Sequence, residues 1–375
     1  MGRQTSIHQL SHCTADSRFA AESLASRLKN MFSWTEGVQV GEDIQAVHQM
    51  RVWSRRSREA HSLFSSIFQE KEYAALGREL TVVTRALGAA RDLDVMILRI
   101  QTETKTLPTR EQSGLLLFIA RLTQQRIQKQ RVLENVIKRL EKHQVQSRFE
   151  KFTACFTESI TSEEGSEKAV NPTSSDHAIL TSNNDNSLTP IKFLIFRTIA
   201  SYLKKLNAAD QVFQRPEEVK TLHQIRIIMK RFRYSLEILQ DAPVLGDEEK
   251  KLFGDAITLI KSMQDDLGGL HDADVLCPIL VAEARRLLRP GAITKRHPNL
   301  VGVHHADLEG ALGLINLSEH VRDERDSYYL NIVEAWNQPL RERIFQSLKT
   351  LGEALKHCEN SDTDNINDEK NSENC

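Results

Sequence analysis

One segment of this chain occurs twice, and that duplication limits what it can fold into more than any other feature. Val47-His48-Gln49-Met50-Arg51-Val52-Trp53-Ser54-Arg55-Arg56-Ser57-Arg58 returns as Leu222-His223-Gln224-Ile225-Arg226-Ile227-Ile228-Met229-Lys230-Arg231-Phe232-Arg233. Both copies read H-x-x-R-x-x-x-[RK]-R-x-R. A second pair follows in the same order: Leu87-Gly88-Ala89-Ala90-Arg91-Asp92-Leu93-Asp94-Val95, then Leu267-Gly268-Gly269-Leu270-His271-Asp272-Ala273-Asp274-Val275. The offsets are 175 and 180 residues. Two pairs in one order at nearly one offset imply an internal duplication.

On a helix at about 100° per residue, His48, Arg51, Arg55 and Arg58 fall within roughly 80° of one another, as do His223, Arg226, Lys230 and Arg233. Each basic row is about 15 Å long at 1.5 Å per residue. Beside it runs an apolar stripe, Val47, Met50, Trp53, Ala60 and Phe64 in one copy and Leu222, Ile225, Ile228, Met229, Phe232, Leu236 and Leu239 in the other. Solvated basic faces normally carry acids three or four residues away. Segment 47–64 holds one acid, Glu59, and segment 222–239 holds one, Glu237. Unpaired like charges repel unless an anion is supplied, so the two rows point to an anionic ligand.

These motifs resemble the CHAD family, helical domains named for their histidines. The family pattern reads V-H-x-x-R-V-x-x-R-R-x-R in one half (here 47–58), H-x-x-R-x-x-x-K-R-x-R-Y-x-x-E in the other (here 223–237), and L-G-x-x-R-D-x-D-V between (here 87–95). The likeness runs over about residues 17–357, apart from a middle linker. It implies an all-α fold of two pseudo-symmetric helical bundles whose basic residues line one groove or channel. It further implies non-enzymatic binding of inorganic polyphosphate, with polyphosphate-associated proteins as a second class of partner. Some family members are fused to a triphosphate-tunnel domain with an E-x-E-x-K signature; this chain lacks that signature and looks free-standing.

The resulting site expectation takes polyphosphate on His48, Arg51, Arg55, Arg56, Arg58, Arg91, His223, Arg226, Lys230, Arg231 and Arg233. Arginine grips phosphate oxygens in bidentate fashion and lysine acts as a point charge; each histidine adds one hydrogen bond, or two and a charge when protonated. Arg56 and Arg231 lie across the apolar stripe from the main rows, as rim contacts or structural pairs. Asp92, Asp94, Asp272 and Asp274 are counter-ions that orient the cations, Tyr234 belongs at the core edge, and Gly88 and Gly268 are expected to allow close helix approach. No catalytic residue, metal ligand or cofactor is expected. His48 and His223 are poor metal ligands because an arginine three residues on repels a cation.

The net charge of −1 conceals an uneven distribution. Residues 158–189 hold six acids and one lysine, and residues 359–375 the same, which leaves +9 for the rest. That divides the chain into a first repeat (1–157), a flexible acidic linker (158–189), a second repeat (190–358) and a disordered acidic tail (359–375). Asp43 can cap the first motif helix. That helix should run to about Phe68, with others over 70–103, 110–145, 190–213, 216–242, 248–289 and 307–357. The basic stretch Arg121 to His143 reads mostly as a solvated face, and 290–306, with His297, His304 and His305, as a loop. Five scattered cysteines without C-x-x-C, no signal pattern and no apolar run longer than Leu115–Ala120 suggest a cytoplasmic protein with no membrane span.

Two rival functions remain. His271-Asp272 suggests an all-α metal phosphohydrolase, but its counterpart in the repeat is Arg91-Asp92, and arginine cannot ligate a metal. Backbone binding of RNA or DNA would use the same rows, but aromatics are 6% of residues and do not interleave with the basic positions, so base stacking has no platform.

Overall fold

The computed structural model describes residues 14–157, 190–207, 209–289, 303–339 and 341–353, with the side chains of 303–306 excepted. The linker (158–189) and tail (359–375) expected from composition lie outside these residues, as does His297. Among the described residues every regular element is helical. In chain order these are α1 (Ala15–Phe32), α2 (Thr35–Val40), α3 (Ile44–Leu63), α4 (Lys71–Thr104), α5 (Gln112–Lys142), α6 (Val145–Ala154), α7 (Pro190–Asn207), α8 (Ala209–Val212), α9 (Val219–Leu239), α10 (Asp247–Leu287) and α11 (Val303–Trp336). A further helical stretch covers 341–353.

The two motif helices are α3 and α9. Asp43 caps α3 as expected, its Oδ1 accepting from the Gln45 N–H at 2.7 Å. The apolar stripes fold inward: Val47, Met50 and Ala60 of α3 with Phe64 just after it, and Leu222, Ile225, Met229, Phe232, Leu236 and Leu239 of α9, are buried. They enter one large core that gathers residues from Ala20 to Leu348, so the two sequence halves share it. A smaller core lies among the long helices, where Ile100, Leu115, Phe118 and Leu122 of α4 and α5 meet Leu276, Leu280, Ala311, Leu314 and Val321 of α10 and α11. Burial of these large side chains, each worth about 1.5–3 kcal/mol, locks the halves together.

Several expected boundaries shift. The 110–145 helix breaks at Gln144, whose left-handed φ of 49° ends α5 and starts the separate α6. The single helix expected over 307–357 is two. α11 starts at Val303, so His304 and His305 lie in its first turn and outside the expected loop. It ends at Trp336, shortly before Pro339, which cannot continue a helix ladder. Gly88 and Gly268 do not serve close helix approach, since an added Cβ at either would meet nothing within 4 Å. The tight crossing is elsewhere, at Gly114 of α5 against Gly310 of α11, where a Cβ would collide with the opposing backbone.

Candidate functional site: a cationic hollow between two motif helices

α3 and α9 pack side by side with α4 and α10 against them, and the two basic rows converge on one hollow. Its volume is about 420 Å³. Arg51 and Arg55 enter from α3, His223, Arg226 and Lys230 from α9, Asp92 and Arg99 from α4, and His271 and Asp272 from α10. Arg55, Ile227 and Lys230 also line a second hollow, of about 770 Å³, together with Arg58, Arg78, Arg85 and Arg231. The two adjoining spaces make up a basic groove with these three residues common to both.

Its electrostatics are unbalanced. Arg51 donates to Asp92 at 2.7 Å, but that carboxylate is itself 68% exposed. Arg55, Arg58, Arg226 and Lys230 make no ion pair with a carboxylate among the described residues. Crowded cations make one another harder to charge. Burial, then Arg55, Arg226, Arg51 and Arg58, bring the Lys230 amine down to about 7. Burial and Arg55 bring the Arg51 guanidinium to about 10 despite Asp92. His271 stacks on His223 with ring centres 4.1 Å apart. Burial, Arg226, His223 and Lys230 bring it to about 4. His48 and His223 are lowered as well, by burial and then by the arginine neighbours Arg91 and Arg226 respectively. An anion in the groove would oppose the part of these shifts that comes from the neighbouring cations.

The expected site residues divide in two. Arg51, Arg55, Arg58, His223, Arg226, Lys230 and Arg231 line the groove. His48 and Arg91 sit beside Arg51 and Arg55 without lining either hollow. Arg56 and Arg231 cross between the motif helices: Arg231 pairs with buried Glu59 of α3 at 3.0 Å, and Arg56 pairs with Glu237 of α9 at 3.2 Å and lies over the Tyr234 ring. These are the structural pairs that their place across the apolar stripe suggested. Arg233 departs from expectation. It lines neither hollow; its guanidinium lies over the Tyr234 ring and 3.6 Å from Glu237, one helical turn on. Tyr234 is buried at the core edge.

Of the motif aspartates only Asp92 pairs with a cation of the expected site, Arg51, while Asp94 and Asp274 hold arginines outside it. Asp94 accepts from Arg126 of α5 at 2.6 Å, and Asp274 from Arg325 of α11 at 2.7 Å. The other cations of the Arg121–His143 stretch that the structure pairs are also tied to acids on other helices, Arg121 to Glu283 and Arg139 to Glu79, so that stretch does not feed the groove. Arg78 and Arg85, absent from the motif reading, were nonetheless visible in sequence. They stand seven residues apart on the α4 face that also carries Asp92 and Arg99, and neither has an acid three or four residues away. Arg99 has one, Glu103, and pairs with it at 3.1 Å.

A CHAD-domain family profile matches residues 22–280. The chain belongs to the CHAD family. No curated protein matches it by sequence. Among solved structures it is similar to the CHAD domain from the plant Ricinus communis, at 20% identity over 92% of this chain and 94% of that one, with a TM-score of 0.49. It is also similar to PptA from Streptomyces chartreusis, at 15% identity over 86% of this chain and 99% of that one, with a TM-score of 0.52. The latter likeness is one of fold. In this CHAD protein no described helix is long and apolar enough to cross a membrane.

Proposed function

We propose that this CHAD protein binds inorganic polyphosphate in the groove between α3 and α9 and does not hydrolyse it. The observation that carries this reading is the convergence of Arg51, Arg55, Arg58, Arg226 and Lys230, of which only Arg51 has a carboxylate partner among the described residues. A flexible polyanion replaces the missing counter-charge along the whole row, as basic proteins do on nucleic acid. Planar guanidinium groups suit tetrahedral phosphate oxygens. His61 is the one ring in the second hollow and is stacked on Tyr73, so a nucleobase gains no open platform there.

A phosphohydrolase fits less well. His271 and Asp272 face Arg226 and Lys230, which repel a metal cation. The three-member group of Glu103, His320 and Glu324 already holds the Arg99 guanidinium on both carboxylates. The setting that goes with this reading is the cytoplasm, with polyphosphate granules and polyphosphate-associated proteins as neighbours.

Arg51→Glu/Arg55→Glu and Arg226→Glu/Lys230→Glu test the reading. Each pair should weaken binding to polyphosphate beads by about a hundredfold or more and flatten the dependence on salt, since fewer counterions are released. RNA should compete poorly for the wild-type protein. If both variants stay folded and bind with wild-type affinity and salt slope, the groove is not the site.

A further inference from the structure

The groove is basic in one direction only. From the stacked His223 and His271, cations continue through Arg55 and Lys230 to Arg58, Arg78 and Arg85. At the 180-residue offset, the second-half counterparts of Arg78, Arg85 and Arg99 are Thr258, Asp265 and Ile279. The remaining wall of the first hollow is made of Asp92, Asp272, Val95, Met96, Ile227, Val275, Leu276 and Arg99, whose guanidinium is paired with Glu103 and Glu324. Beyond Arg99 stand Glu103 and Glu324, and Arg233 is taken up by Glu237. A polyanion entering from the Arg78 side therefore passes Arg85 and Arg58 before it reaches Arg51, Arg226 and Lys230, and beyond them it meets carboxylates and exposed valines.

Resting on the polyphosphate reading, we propose that the hollow at Arg51, His223, Arg226, Lys230 and His271 takes the end of a polyphosphate chain, and that the chain leaves along α4 over Arg58, Arg85 and Arg78. The chemistry of a chain end fits this. A terminal phosphate has a second ionisable oxygen with pKa near 6 and so carries roughly −1.5 to −2, whereas an internal unit carries about −1. It asks for more donors at one point, and the hollow gathers its cations around two stacked imidazoles. The α4 track suits a run of single charges instead. Arg85 and Arg78 stand seven residues apart on α4, about 10 Å at 1.5 Å per residue, and both are exposed.

Calorimetry on the full chain separates the possibilities. The probes are linear polyphosphates of several defined lengths, the same chains capped at both ends as methyl phosphoramidates, and inorganic triphosphate. End binding predicts saturation at two protein copies per long chain at every length, and capped chains bound at least about tenfold more weakly. Occupancy that climbs in proportion to length, or equal affinity for capped and uncapped chains, overturns it while leaving polyphosphate as the ligand. Failure of every chain to bind removes the polyphosphate reading itself. The exit is tested separately: Arg78→Glu/Arg85→Glu should cost long chains about tenfold in affinity and leave triphosphate binding nearly unchanged. A larger long-chain loss from Arg91→Glu would put the exit on the opposite side and refute the path.

Discussion

The two motif-bearing segments of this molecule use like helices and differ in the residues they turn toward the groove. In each, a motif helix buries its apolar stripe, and the second aspartate of the L-G-x-x-x-D-x-D motif is clasped by an arginine from the following long helix. These pairs, Asp94 with Arg126 and Asp274 with Arg325, are nearly superposable in length, 2.6 and 2.7 Å, and both are mostly buried. The faces toward the groove have diverged. Where the first half has Arg55, Ser62, Arg85 and Arg91, the second has Lys230, Glu237, Asp265 and His271. The first half therefore brings arginines to the groove along α3 and α4. The second is titratable, and its row is curtailed where Glu237 takes Arg233. Packing constrains both copies alike because each must bury the same stripe. The ligand-facing positions carry no such constraint, and there the copies differ.

The shared part of this comparison breaks first if the two clasps are not equivalent. Removing one partner of a buried ion pair leaves an uncompensated charge and costs about 3–5 kcal/mol. Asp94→Ala and Asp274→Ala should each lose about that much stability in urea unfolding, with similar values and no change in the m-value beyond error. A large loss in one half and none in the other would show that the clasp has structural weight in only one copy.

The helical fold and the motif faces were legible because their causes are local. A 3.6-residue stripe, an Asp43 cap and the scarcity of nearby acids all lie within one helix. The part of the site that went unread had local causes too. Glu237 sits four residues after Arg233 and captures it, and Arg78 and Arg85 share a heptad face without acids at either helical spacing. The same counting of acids that singled out α3 and α9 identifies both. Other features are set by tertiary context. Gln144 turns left-handed with neither glycine nor asparagine to announce it. Gly88 and Gly268 match in the repeat yet face open space, while the close crossing at Gly114 and Gly310 joins positions 196 residues apart. Likewise, only the folded chain shows that Arg121 and Arg139 meet Glu283 and Glu79 from other helices.

The divergent part of the comparison can be sharpened at Lys230, the counterpart of Arg55. Its amine stands below the ordinary 10.5 because burial and four arginines oppose its charge. The penalty on the folded, ligand-free protein is full below about pH 7 and fades as pH rises toward the unfolded value, since only the unfolded chain then holds the proton. Lys230→Met should raise the stability of the ligand-free protein by about 1 kcal/mol at pH 6–7 while weakening polyphosphate binding. The gain should shrink at pH 9. A variant that is destabilised at pH 6 would show that the lysine stem packs better than its charge repels.

The smallest expected effect concerns pH and belongs to one half. In the ligand-free protein Lys230 loses its proton above about 7, and His271 holds none until about 4. A bound polyanion favours the charged forms, so both pKa values rise on binding and protons are taken up. Affinity must then increase as pH falls from about 9 to about 6, by no more than tenfold per pH unit for each proton taken up. Calorimetry in two buffers of different ionisation enthalpy would count those protons. The first-half counterparts are the arginines Arg55 and Arg91. Lys230→Arg/His271→Arg makes the second half resemble the first at these two positions. Most of the pH slope and proton uptake should then disappear, while binding at pH 6 stays within a few-fold of wild type. The remainder would come from His223 and His48, which are also held below the ordinary imidazole value. An unchanged slope in this variant would shift the proton linkage to that pair and remove the functional distinction between the halves.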